Sequence, residues 1–236
     1  MSEPAFSAPF ATLRKRKLEA TQRLLGDTIR ITDDEWREPS LLPGWSRAHV
    51  ATHLARNADA LRHLVANAGR GIEAPLYAAT DRFADIESGA ERTGLELQID
   101  LDTSAGELNR ALDNLTDWDV PVMVGGRATT LAEVPILRMH EVVLHHVDLD
   151  CGFAPADLDP VPARWLLEWA LKRRRDEPGL PAVSVASTSG LQGQLGSGDP
   201  RITVTGTDTA LWGWVTGRRG PETVEGAADL RLPLLA

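Results

Sequence analysis

Two short stretches hold five of the six histidines in the chain: "HVATH", from His49 to His53, and "HEVVLHHVDLD", from His140 to Asp150. The sixth is His63. In the first stretch His49 and His53 are four residues apart, and in the second Glu141 and His145 have the same spacing. Residues four apart on an α-helix share a face. If the two helices pack antiparallel, one offers a histidine and the other offers Glu141 and His145 to the same point in the core. Two imidazoles and a carboxylate suit a divalent ion, zinc foremost, and leave a fourth position open, as catalytic zinc sites do. Non-haem iron accepts the same donors. Asp148 and His49 stand where they would orient the ligands from behind. His140 and His146 point elsewhere. The plainer alternative is that Glu141 and His145 make a helix-surface contact worth about 0.2–0.5 kcal/mol.

This chemistry requires helices, and the surrounding pattern supplies them. Apolar residues recur at helical spacing from about Ala8 to Ile31, with Leu13, Leu18, Leu24 and Leu25 on the stripe. "TDDEW" opens a short helix. "LLPGWSR" turns at Pro43 and Gly44, and Ser46 is the N-cap of a long helix reaching about Ala68. "GRGIEAPLYAAT" reads as a loop. Helix follows from about Asp81 to Asp117, interrupted near Thr93-Gly94, and "VPVMVGGRATT" holds a β-like run with a Gly-Gly turn. Thr130 and Glu133 have the spacing of a capping box for a helix reaching about Asp150, with Pro135 early enough to be tolerated. Four main helices in this half suit an antiparallel bundle.

The composition then changes. "CGFAPADLDPVPA" has the character of a linker, and a helix is predicted from about Val161 to Asp176. "AVSVAST", "LQGQL" and "RITVTG" read as strands. "TDTALWGWVTGR" reads as a helix that Gly217 ends. The expected fold is α+β: a helical bundle over residues 1–153 and a smaller C-terminal α+β domain over residues 154–236.

The formal charge of −9 argues against a nucleic-acid partner, which a basic face would serve. The basic runs Lys15-Arg16-Lys17 and Lys172 to Arg175 are read as solvated helix faces. Arg56 and Arg138, each one turn from a candidate ligand, are read as members of salt bridges inside the bundle. The tryptophans at 45, 118, 165, 169, 212 and 214 are expected to pack in cores or interfaces. With Cys151 alone no internal disulfide is possible, and a reducing cytoplasm is the expected setting. Neither a secretory leader nor a membrane span is expected.

Certain motifs carry a resemblance. "LLPGWSRAHVATHLARNADAL", "APLY", "RMHEVVLHHVDL" and the C-terminal "TVTGTDTALWGWVTGRRG" together resemble the mycothiol-dependent maleylpyruvate isomerase family, over nearly the whole chain. The N-terminal part is similar to DinB-like metal-binding four-helix bundles. The resemblance implies that His53, Glu141 and His145 bind one zinc ion with water at the open position, and that His49 is not a primary ligand. It implies a catalytic role for Arg218, facing the active site from the second domain, with Arg219 its immediate neighbour. It also implies mycothiol as thiol cofactor, a small carboxylate substrate and a step in gentisate degradation. A monomer is expected.

The implied reaction is cis–trans isomerisation of maleylpyruvate to fumarylpyruvate. A thiolate adds to the double bond, rotation follows about the resulting single bond, and the thiolate leaves. Cys151 is not expected to be that thiol, because its neighbour is Asp150 and nothing nearby lowers its pKa. Two alternatives stay open on the same motifs: a mycothiol S-transferase that conjugates electrophiles, and a non-catalytic metal-binding regulatory module.

Overall fold

A computed structural model of the chain describes residues 8–73, 76 and 82–235. Half of the loop expected over "GRGIEAPLYAAT" lies outside the described residues.

Local signals set the helix starts. α1 (Phe10–Thr28) buries Leu13 and Leu24 but leaves Leu18 40% exposed, so Leu18 is not on the core face as the periodicity suggested. α2 (Asp33–Arg37) begins at a capping box in which the Thr32 hydroxyl accepts from the Glu35 amide and the Glu35 carboxylate accepts in return. α3 (Arg47–Ala68) starts at Ser46, as its sequence predicts. α4 (Arg82–Ala90) and α5 (Gly94–Asp113) divide at Thr93, which caps α5 through a box with Glu96. β1 (Pro121–Val124) and β2 (Arg127–Thr130) form an antiparallel hairpin through Gly125 and Gly126. Both glycines have positive φ, as a two-residue turn of this hand demands.

α6 (Val134–Asp148) carries the second histidine stretch. Its start differs from expectation. Thr130 makes no side-chain cap, because it still belongs to β2 and pairs with Pro121. A 3₁₀ turn over Leu131–Glu133 intervenes, and Glu133 takes the N-cap position.

The chain from Arg14 to Phe153 makes one compact unit, and the chain from Ala154 onward, with the segment ending at Leu13, makes another. In the first unit α3 packs on α5, α6 and α4. A core of Leu24, Trp36, Leu54, Leu97, Leu101, Val142 and Leu149 joins α1, α2, α3, α5 and α6. The second unit holds α7 (Pro160–Arg174), β3 (Val183–Ser187), β4 (Gln192–Leu195), β5 (Ile202–Gly206) and α8 (Asp208–Val215). Its strands run in the order β4-β3-β5, with β3 antiparallel to β4 and parallel to β5. α7 packs against α8, and Trp212 and Trp214 are fully buried.

Two basic residues depart from the solvated reading. Lys17 is buried at 5% exposure, and its ammonium donates to Asn109 Oδ1. Arg174 is wholly buried and grips Glu177 through two nitrogens at 2.8 and 2.9 Å. No helix among the described residues is long and apolar enough to cross a membrane.

Candidate metal centre

α3 and α6 bring together the residues that spacing had paired only within each helix. His53 Nε2 stands 3.2 Å from Glu141 Oε2, and His145 Nε2 stands 3.6 Å from the same oxygen. One ligand atom from each residue lies within 4.8 Å of the other two. The imidazoles meet edge to face with centroids 4.5 Å apart. Both histidines are buried, while the Glu141 side chain keeps 19% exposure.

The donors fit a metal. Bonds of about 2.0–2.1 Å in a tetrahedral site separate neighbouring ligand atoms by roughly 3.3 Å, close to both contacts with Glu141. Behind the ligands, His145 Nδ1 meets Asp148 Oδ2 at 2.9 Å. As a carboxylate Asp148 can only accept, so Nδ1 carries a proton and Nε2 faces Glu141. Asp148 therefore takes the orienting position that its spacing suggested.

The electrostatics couple the three groups. Burial would raise the pKa of Glu141, but hydrogen bonds and charge from His145 and His53 outweigh it and hold the carboxyl well below the usual range. Burial alone would lower the pKa of His145, yet Asp148 and Glu141 lift it above the ordinary imidazole value.

Other residues singled out in the sequence lie elsewhere. His49 Nδ1 belongs to the capping box of α3, 2.7 Å from Ser46 Oγ, and its Nε2 meets Glu87 at 3.2 Å. Its ring nitrogens thus bond to a helix cap and to α4, not to the ligands it was expected to orient. Arg56 pairs with Asp100 at 2.6 Å and with Asp59 at 3.2 Å. Arg138 donates to the Leu54 carbonyl and to Asn57 Oδ1, both at 2.8 Å. Half-buried Cys151 has its thiol pKa pushed up by burial and by Asp27, which agrees with its exclusion as nucleophile.

In the second unit, Arg218 donates from Nη1 to the carbonyls of Thr216 at 2.8 Å and Leu235 at 2.6 Å. These contacts tie the end of α8 to the C-terminal segment. Arg219 is exposed, and its Cγ lies where a side chain at Gly213 would project.

Sequence reasoning assigned Trp45 to packing. Its ring lies 5.6 Å from that of His53 and 6.3 Å from that of His49, so it forms one wall of the site. Its place immediately before the N-cap Ser46, one turn ahead of the first histidine, was the available signal.

Fold and donor set define a class of protein: a helical bundle with two imidazoles and a carboxylate gathered where they could hold a divalent ion. Residues 18–150 match the family model of the mycothiol maleylpyruvate isomerase N-terminal domain, and the chain belongs to that family. Two solved structures share the fold with TM-scores of 0.85, covering 96% of this chain and 95% of theirs. They are crystal structures of the mycothiol-dependent maleylpyruvate isomerase, at 24% identity, and of a histidine-to-alanine mutant, at 23%. No curated protein gives a significant match.

Proposed function

We propose that this chain is a zinc- and mycothiol-dependent isomerase that converts maleylpyruvate to fumarylpyruvate. The observation that carries the reading is the convergence of His53, Glu141 and His145, in a member of this family, on a point that one small cation would fill. A zinc ion held there would favour thiolate over thiol at neutral pH. Two neutral imidazoles and one carboxylate leave that ion a single net positive charge, which a thiolate neutralises.

The chemistry balances without an oxidant. As the thiolate forms a C–S bond, the π electrons of the cis double bond move onto the conjugated carbonyl as an enolate. Rotation follows about the single bond. The enolate then re-forms the double bond as the C–S bond breaks, which returns the thiolate. In this reading residues 1–153 are the metal-binding domain, and residues 154–236 contribute substrate recognition through Arg218, whose planar fork suits a carboxylate. Its bonds to Thr216 and Leu235 support a competing role as a helix-end cap.

The test is to supply the zinc-loaded protein with maleylpyruvate, with and without mycothiol. Fumarylpyruvate should form only when both are present, and mycothiol should not be consumed. His53→Ala should lose most of the metal and the activity. Arg218→Ala should keep its zinc and lose roughly ten- to a hundredfold in kcat/KM, matching about 1.5–3 kcal/mol for a charge-assisted bond. Unchanged kinetics would leave Arg218 as a cap only. Consumption of mycothiol into a stable adduct would identify an S-transferase, and full zinc with no turnover would identify a regulatory module.

A further inference from the structure

The segment between α2 and α3 is folded back on itself and touches both halves of the metal centre. Ser40 donates to the Trp45 carbonyl from its amide at 2.9 Å and from its hydroxyl at 2.8 Å. The Trp45 amide closes onto the Leu42 carbonyl at 3.1 Å. Gly44, at φ +81°, takes the left-handed conformation that the turn needs. The result sets the Trp45 ring against His53 on α3. The same segment also reaches α6, where the Leu41 amide donates to the carbonyl of Asp148 at 2.9 Å.

Arg47 completes the link. It is the first residue of α3, six positions before His53. Its guanidinium donates to three carbonyls from separate parts of the chain: Leu149 at 2.7 Å and Asp150 at 3.2 Å, at the end of α6, and Glu35 at 3.0 Å, in α2. The carbonyls that end a helix lack partners within it and carry partial negative charge, so a cation there both satisfies and attracts them. Asp150 holds a positive φ of 49°, a conformation uncommon outside glycine, and its carbonyl is one of those gripped. Arg47 thus fastens the start of the helix that carries His53 to the end of the helix that carries His145 and Asp148.

We propose that Arg47 is a positioning residue of the metal centre: by clamping the end of α6 to the start of α3, it holds His53 at the right separation from Glu141 and His145. The inference rests on the metal-binding reading of these three residues. The 3.2 Å between His53 and Glu141 spans two helices, whereas the 3.6 Å between His145 and Glu141 lies within α6. Nothing within either helix fixes the first separation, and an ångström of sliding between α3 and α6 would spoil the donor geometry. The clamp lies at the end of α6 nearest the ligands, where it resists that movement.

The experiment measures zinc affinity of the full-length chain by competition with a chelating dye, at a temperature well below melting, for wild type, Arg47→Met and Arg47→Lys. Melting of the metal-free forms is recorded beside it. Residues that orient metal ligands commonly change affinity by roughly ten- to a hundredfold, and Arg47→Met should fall in that range. Arg47→Lys should lie between, because an ammonium keeps the charge but cannot span the carbonyls as a planar fork does. A merely structural arginine would lower the melting temperature and leave the affinity of the folded protein unchanged, and that result overturns the proposal. If Arg47→Met does not fold, Arg47→Lys decides alone, and affinity equal to wild type refutes the clamp. Failure of the parent reading looks different: wild type would bind no zinc, or His53→Ala would bind it as well.

Discussion

At the scale of single residues, the centre depends on which nitrogen of His145 faces Glu141. Asp148, with no exposure, accepts a hydrogen bond from Nδ1–H at 2.9 Å and so directs Nε2 inward. A carboxylate in this position also makes the imidazole a stronger donor. Asp148→Asn keeps an acceptor but removes the charge. On the proposed reading of the site, it should weaken zinc binding by roughly tenfold, at the lower end of such effects. A chelator titration of the purified variant measures this. Wild-type affinity in Asp148→Asn would mean that shape alone, without the charge, sets the tautomer.

At the scale of elements, α4 is held against α3 by an absent side chain. A Cβ built at Gly89 would stand 2.4 Å from Thr52 Cγ2 and 3.2 Å from Thr52 Oγ1. Thr52 is buried and immediately precedes His53, so the contact leaves no slack beside the centre. The same helix carries Glu87, the partner of His49. Gly89→Val must push the helices apart, at an overpacking cost of about 1–3 kcal/mol. For a chain of this size each kcal/mol shifts Tm by roughly 2–4 °C, so a fall of about 2–12 °C is expected. Adding Thr52→Ser, which removes the clashing methyl, should restore part of the loss. A thermal melt that shows no fall in Gly89→Val would show that the helices do not approach so closely.

At the scale of the whole molecule, a chain with a formal charge of −9 nevertheless buries cations in its bundle. Lys17 on α1 donates to Asn109 on α5, and burial first, then the charges of Arg138 on α6 and of Arg14, lower its pKa from 10.5 to about 8. The sign of the linkage follows. Between pH 8 and 10.5 the unfolded chain holds the Lys17 proton and the folded chain has released it, so this group makes stability rise with pH over that window. Below pH 8 both states are charged, and the folded state bears the full cost, on the order of 3 kcal/mol from the size of the shift. Lys17→Met should therefore raise stability at pH 7 by up to about that amount, less the lost bond to Asn109 of about 1 kcal/mol. The advantage should shrink as pH rises toward 10. Denaturant unfolding at several pH values checks it, and a difference constant across that range would show that Lys17 does not titrate as described.

What could be read from the sequence is what one helix determines within itself. Thr32 and Ser46 announce two helix starts because a hydroxyl at the N-cap satisfies an amide a few residues away, and the break read at Thr93 proved to be a third such cap. The pairs His49/His53 and Glu141/His145 share faces because the helical repeat sets their angle. The motif resemblance added the choice of His53 over His49, and the family match supports the membership it implied. Other features depend on how the helices pack. Periodicity gives the angle between two side chains of one helix, but not the rotation of that helix against another, which interdigitating side chains across the core decide. Tertiary packing therefore brought His53 to Glu141 across 88 residues of chain, left His49 with a helix cap and Glu87, and set Trp45 beside His53. It buried Lys17 among residues of three helices, where its sequence neighbours suggested a solvated face. It also cancelled the capping box at Thr130, because pairing with β1 held that residue in a strand. Local hydrogen bonds act over three or four residues and are legible in order along the chain. Contacts across a core depend on side-chain volumes drawn from every helix at once, so only the folded structure decides them.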